Sequence, residues 1–178
     1  MTDSICQDDA EPDSPAITLD IDVRAEAWRP FIADLRAHAD YLARALGLPC
    51  VELSLVLGDD ALLAQLNETY RDKAGPTNVL SFPALDMAAD AAGALMTGAL
   101  LGDIVMSFDT LAREAEAGEK SLTAHALHLL THGFLHLLGH DHMEDAQAHR
   151  MERLETELLV AVGLADPYGE EADKGVGS

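Results

Sequence analysis

Seven of the eight histidines in this 178-residue chain fall between positions 125 and 149, and three of them share the eleven-residue window HGFLHLLGHDH (132–142). That window constrains the local fold more than anything else in the sequence. It lies in an apolar stretch with helical periodicity, which Ser121 can cap and Gly139 can end. On a helix, His132 and His136 lie on one face, about 6 Å apart along the axis. Both imidazoles can then reach one metal ion. Gly139 supplies a residue that tolerates positive φ where the helix must stop, so the chain can turn and return a third ligand. That ligand is His140 or His142. His140 follows the turn immediately, whereas His142 has two more residues in which to fold back and is preferred.

Three neutral imidazoles suit Zn²⁺ by softness. They leave a fourth position for water, as catalytic zinc sites do. A lone histidine pair at i, i+4 on an apolar helix is more often packed than metallated, but three histidines with a glycine turn before the third are hard to explain as core. His125, His128 and His149 fit supporting, core or surface positions better. The spacing HxxxHxxGxxH also matches one class of zinc protease except after the first histidine, where a protease carries glutamate as general base. Gly133 stands there and accepts no proton. Glycine in mid-helix costs about 0.5–1 kcal/mol relative to alanine, which suggests close approach by substrate or neighbouring backbone.

Alternating apolar residues predict a strand over 16–23, and VELSLVL (51–57) predicts a second. Helical spacing runs from Trp28 to Leu46, stopped by Gly47 and Pro49. Asp59 or Asp60 can cap a helix through Tyr70, with Leu62, Leu63 and Leu66 as its buried stripe. A turn-rich loop leads to the short strand NVLSF, ended by Pro83. Residues 84–99 are rich in Ala and Gly and predict a mobile loop. LGDIVMSF (101–108) is a fourth strand. Helices follow at about 109–117, from Ser121 to Leu138, and at about 144–162. The fold class is α/β (α+β): one mixed four-stranded sheet packed with about five helices, with the metal site on the long histidine-bearing helix and the turn after it. Strand order cannot be read from this pattern. Residues 1–15 form an acidic tail expected to be disordered, 16–168 a single domain, and 169–178 a flexible tail.

Charge is the anomaly. Eleven basic residues against 32 acidic ones give −21 with histidine neutral, which argues against a nucleic-acid binder with the usual basic face. Yet residues 1–26 hold eight acids and one base, and 164–178 four acids and one base. About half the net charge therefore lies in the terminal segments. Residues 67–82, with Glu68, Arg71, Asp72 and Lys73, are locally neutral. Arg71 can grip two phosphate oxygens and stabilise charge developing in a transition state, or it can pair with Asp72 or Glu68 at the surface. Lys73 and Lys120 are weaker candidates for the same groove. Ser81, Thr77 and Asn78 can bond a phosphate or serve the turn and strand edge. Asp141 can orient a ligand imidazole or close the turn, and Asp103 can support the site or end a strand. Aromatic residues make up only 4% of the chain, leaving Tyr70 and Phe82 as the base-stacking candidates. Cys6 and Cys50 have no zinc spacing and fit two thiols in a reducing cytoplasm. No signal peptide or membrane span is apparent.

HGFLHLLGHDH (132–142) resembles the signature of the YbeY family of bacterial metal-dependent endoribonucleases. LNETYRDKAGPTNVLSFP (66–83) resembles that family's other long block, and LGDIVMS (101–107), GEKS (118–121) and DPY (166–168) match in order. The likeness spans roughly residues 17–168. His140 stands where the family commonly has Tyr. The resemblance implies one Zn²⁺ per chain held by His132, His136 and His142, and an important arginine at Arg71. It implies single-strand-specific RNA cleavage in 16S ribosomal RNA 3′-end maturation and ribosome quality control. The expected partners are single-stranded RNA, small-subunit ribosomal RNA and the ribosome or its proteins, with no membrane and no DNA. Two rivals are a zinc hydrolase of peptides or small molecules, and a non-catalytic ribosome-assembly factor that zinc only stabilises.

Overall fold

The computed structural model describes residues 15–86 and 95–169. The N-terminal tail up to residue 14, positions 87–94 of the Ala-rich loop and the tail from residue 170 lie outside the described residues.

Four strands form one sheet: β1 (Ile17–Val23), β2 (Val51–Gly58), β3 (Val79–Pro83) and β4 (Ala99–Ser107). Among the described residues five α-helices accompany it: α1 (Ile32–Ala45), α2 (Asp60–Arg71), α3 (Phe108–Ala117), α4 (Leu122–Leu137) and α5 (Asp145–Ala161). The strand order is β1-β2-β4-β3. β1, β2 and β4 are mutually parallel, and β3 closes one edge antiparallel to β4. This is the mixed four-stranded α+β architecture that the element order implied. The solvent pattern follows strand alternation. Ile17, Leu19, Val51, Leu53, Leu55, Leu57, Leu101, Ile104 and Met106 turn to one side and join Leu35, Leu42, Leu130 and Phe134 in the main core. On the other side, α2 covers only the β3–β4 end, where Leu63 packs on Leu80 and Val105.

Local boundaries shift for identifiable reasons. The helical pattern from Trp28 is interrupted: Glu26–Phe31 forms a 3₁₀ turn containing Pro30, and α1 begins only at Ile32. Trp28 is fully buried, packs edge-on against Phe108, and donates its indole N–H to the Gly58 carbonyl at 2.9 Å. Of the two candidate caps for α2, Asp59 does the work, accepting from the Leu62 amide at 3.0 Å. The helix buries Leu63 and Asn67, while Leu62 and Leu66 remain half-exposed. Ser121 caps α4 by accepting from the Ala124 amide. Cys50 immediately precedes β2, and Cys6 lies outside the described residues. Among the described residues no helix is long and apolar enough to cross a membrane.

Candidate metal centre

α4 runs along the core face of the sheet with its central turn against β3 and β4. Gly133 explains how it gets so close. A Cβ placed there would lie 3.0 Å from the Ser81 hydroxyl and 3.2 Å from a methyl of Ile104. The close approach expected from this glycine is therefore helix-on-sheet packing. Any longer side chain at 133, including a protease's glutamate, would run into β3 and β4. Ser81 also donates to the Gly133 carbonyl at 3.2 Å, fastening the edge strand to the helix.

One turn further, α4 ends in a closed motif around Gly139, whose φ is +90°. The Gly139 amide donates to the His136 carbonyl and the His140 amide to the Leu135 carbonyl, both at 3.1 Å. This double bond pattern satisfies the last carbonyls and reverses the chain. It brings His142, and not His140, back to the helical pair. His132, His136 and His142 each offer a ring nitrogen within 4.8 Å of the others. His140 contributes its main chain instead, its carbonyl accepting from His136 Nδ1 at 2.9 Å.

The hydrogen bonds around the triad fix which nitrogen faces inward. His132 Nδ1 donates to Glu155 Oε1 at 2.6 Å, and His136 Nδ1 donates to the His140 carbonyl. With both Nδ1 atoms spent as donors, the two Nε2 atoms face each other 3.0 Å apart, where a shared proton or a metal ion satisfies both. Nitrogens 2.0–2.1 Å from a tetrahedral zinc ion would be about 3.3 Å apart, so the donor set fits such an ion. Burial, with His132 and His142 beside it, pushes His136 down to about 4. That ring is neutral at physiological pH, as a ligand must be.

Glu155, on α5, was not singled out by the sequence. It is fully buried. Burial works to raise its pKa, but hydrogen bonds from His128, His132 and Tyr168 outweigh this and hold it at about 2. It thus meets His132 as an anion, the arrangement that sets tautomer and orientation in carboxylate–histidine–metal sites. Asp141, the sequence candidate for that role, accepts from the His142 amide at 2.7 Å and so shapes the turn.

A cavity of about 210 Å³ opens over the triad, lined by His132, His136, His142, Arg71, Asn78 and Ser81. An adjoining cleft of about 770 Å³ carries Arg71, Lys73, Ser81, Asp86, His136 and Asp141. Arg71 is the last residue of α2 and is exposed. Among the described residues it makes no ion pair, with neither Asp72 nor Glu68 engaging it. The loop after it is anchored: the buried Asn67 side chain donates to the Gly75 carbonyl at 3.0 Å. Asn78 is held in place too, its amide donating to both oxygens of Glu114 while its Oδ1 accepts from the Val79 amide. Lys120 lies elsewhere, in a separate cavity of about 530 Å³ with His125, His128 and Asp166. Asp103 sits on the opposite, solvent face of the sheet and is exposed. Tyr70 is exposed and touches the ring of Phe82 edge-on, with centroids 5.2 Å apart.

Comparison with known proteins gives one consistent family. The family model described as Endoribonuclease YbeY matches residues 20–163. A protein of Parvibaculum lavamentivorans named endoribonuclease YbeY is 50% identical over 160 residues, covering 86% of each chain. One of the same name from Paramagnetospirillum magneticum is 47% identical over 163 residues, covering 87% of this chain and 98% of its own. The solution structure of TM1509 from Thermotoga maritima shares the fold, with a TM-score of 0.57 at 21% identity, covering 89% of this chain and 94% of that one.

Proposed function

The chain belongs to the YbeY endoribonuclease family, and on that premise we propose that it is a zinc-dependent, single-strand-specific endoribonuclease. Its place is 3′-end maturation of 16S ribosomal RNA and ribosome quality control in the cytoplasm, with residues 16–168 as the catalytic domain. The observation that carries this reading is the convergence of His132, His136 and His142 in one cavity with the guanidinium of Arg71.

His132, His136 and His142 are the proposed ligands, with Glu155 and the His140 carbonyl holding two of the rings. Zinc bound there supplies Lewis-acid chemistry at a phosphoryl group. Arg71 grips two phosphoryl oxygens and stabilises the charge that develops on them. Lys73 adds charge at the rim of the same cleft, and Ser81 offers a hydroxyl to the phosphate. Asp141 positions His142 through the turn. Lys120, in its own cavity, has no part in this cleft.

Metal analysis and single-stranded RNA cleavage, on the wild type and two variants, test the proposal. His132→Ala is expected to stay folded, lose its metal and lose cleavage. Arg71→Ala is expected to keep metal and melting temperature while cleavage falls on the order of 10²–10³-fold. An unfolded His132→Ala protein would point to a purely structural metal. Peptide cleavage with RNA left intact would point to a different hydrolase. A 2′,3′-cyclic phosphate on the product would identify the RNA 2′-hydroxyl as nucleophile.

A further inference from the structure

The residues that follow α5 return along it and end on the buried carboxylate behind the metal site. Asp166 Oδ1 accepts from the Tyr168 amide at 2.9 Å and from the Thr156 hydroxyl at 3.1 Å. This turn is thus pinned to α5 one residue from Glu155. The Tyr168 hydroxyl donates to Glu155 Oε2, and its ring meets His128 edge-on with centroids 5.8 Å apart. His128 Nε2 contacts the same oxygen at 3.1 Å. Two groups therefore hold Oε2, and the other oxygen, Oε1, is left to face His132 Nδ1.

We propose that the Asp166–Tyr168 turn is a positioning strap for the metal site, with Tyr168 acting through Glu155 to fix the ring of His132. A carboxylate has about four acceptor sites and turns freely about its last bond unless its partners prevent it. Tyr168 and His128 together fix that rotation. Glu155 then accepts from His132 Nδ1 in one geometry, and the Nε2 lone pair faces the other two imidazoles. Tyr168 touches neither a ligand ring's metal-facing nitrogen nor the cleft, so its role is positional. The strap also couples the metal site to the end of the domain. Displacing the turn from α5 leaves Oε2 with His128 alone and loosens the hold on His132.

The inference rests on the triad being a metal site, and its test separates the two. Metal-free full-length protein is titrated with Zn²⁺ against a chromophoric chelator. Glu155→Gln is expected to weaken zinc binding by about 10–100-fold. Tyr168→Phe is expected to weaken it by about three- to tenfold, an effect smaller because it is passed through Glu155. In the Glu155→Gln background, Tyr168→Phe should add nothing. Tyr41→Phe is the control. It removes another tyrosine hydroxyl bonded to α5, donated to the Leu158 carbonyl at 2.9 Å, so it should lower the melting temperature and leave zinc affinity alone. The strap is refuted if Tyr168→Phe behaves like Tyr41→Phe, or if the double variant loses the product of the two single effects. Wild-type protein that binds no zinc would instead overturn the metal site itself. Should Glu155→Gln fail to fold, the comparison of Tyr168→Phe with Tyr41→Phe still decides.

Discussion

Replacing Gly133 with alanine sets two energies of similar size against each other, and the structure indicates which wins. Alanine in a helix interior is favoured over glycine by about 1 kcal/mol. Against this, the new methyl would meet the Ser81 hydroxyl at 3.0 Å and two carbons of Ile104 at 3.2 and 3.3 Å. Ser81 can yield by rotating, at the cost of its bond to the Gly133 carbonyl. Ile104 is fully buried in the inner strand β4 and has nowhere to go. Over-packing of this kind costs about 1–3 kcal/mol, so the net change is a loss of about 1 kcal/mol. For a domain of this size that lowers the melting temperature by about 2–4 °C. Calorimetry on metal-free wild type and Gly133→Ala measures it directly. A melting temperature raised by 2 °C or more would show that helix propensity governs and that close packing is not why glycine stands here. Gly133→Glu is the stronger case. It must press a carboxylate against Ile104, an uncompensated burial costing several kcal/mol, and should not yield folded protein.

Two further outcomes follow from charge. His38 is buried on α1, with Nε2 at 2.8 Å from the Thr131 hydroxyl, and burial pushes its pKa down to about 4. Below its ordinary value of 6.5 the unfolded chain takes up a proton that the folded one refuses. The stabilisation is therefore complete above pH 6.5 and is lost as pH falls towards 4, by up to about 3 kcal/mol. His38→Gln keeps a donor to Thr131 and should flatten that part of the pH–stability curve of metal-free protein; an unchanged curve would refute the assignment. Binding of single-stranded RNA to metal-free protein should fall with salt at a log–log slope of no more than about −1.4, since each phosphate neutralised contributes about −0.7 and the cleft offers Arg71 and Lys73. Arg71→Ala should halve it, whereas a slope near −4 would mean that another surface carries the RNA.

The histidine triad was legible because its information is local. His132 and His136 share a helical face by spacing alone, and Gly139 announces the turn that returns His142. Glu155 supports the same ring from 23 residues away on another helix. Its place at i+4 from Met151 and just before Leu158 and Leu159 puts it on the buried stripe of α5, but only the packing of α5 on α4 decides which ring it meets. Asp141 was the natural candidate because it is adjacent in sequence, but it is spent on the His142 amide. Lys120 shows the same limit: its charge suits a phosphate, yet it sits at the start of α4 while the triad occupies the other end. Strand order was illegible for a comparable reason. The insertion of β4 between β2 and β3 is decided by long-range pairing, which alternation cannot report. Trp28 carried helical spacing, but Pro30 and the hydrogen bond to Gly58 hold that segment as a separate 3₁₀ turn.

The acidity, which at first weighs against RNA, acquires a geometry. Asp20, Glu52 and Asp103 are exposed on the side of the sheet turned away from α1 and α4, in the part that α2 leaves bare. The triad, Arg71 and Lys73 open elsewhere, into a cleft whose lining acids among the described residues are Asp86 and Asp141. A duplex carries one charge for about every 1.7 Å of its length. Laying it across this body would press many phosphates against an acidic surface for the sake of two cations. A single strand can offer one phosphate to the cleft and keep the rest in solvent. The charge distribution thus gives the proposed preference for single strands a physical cause independent of base recognition. It also makes unaided binding weak, which favours a partner such as the ribosome holding the strand in place.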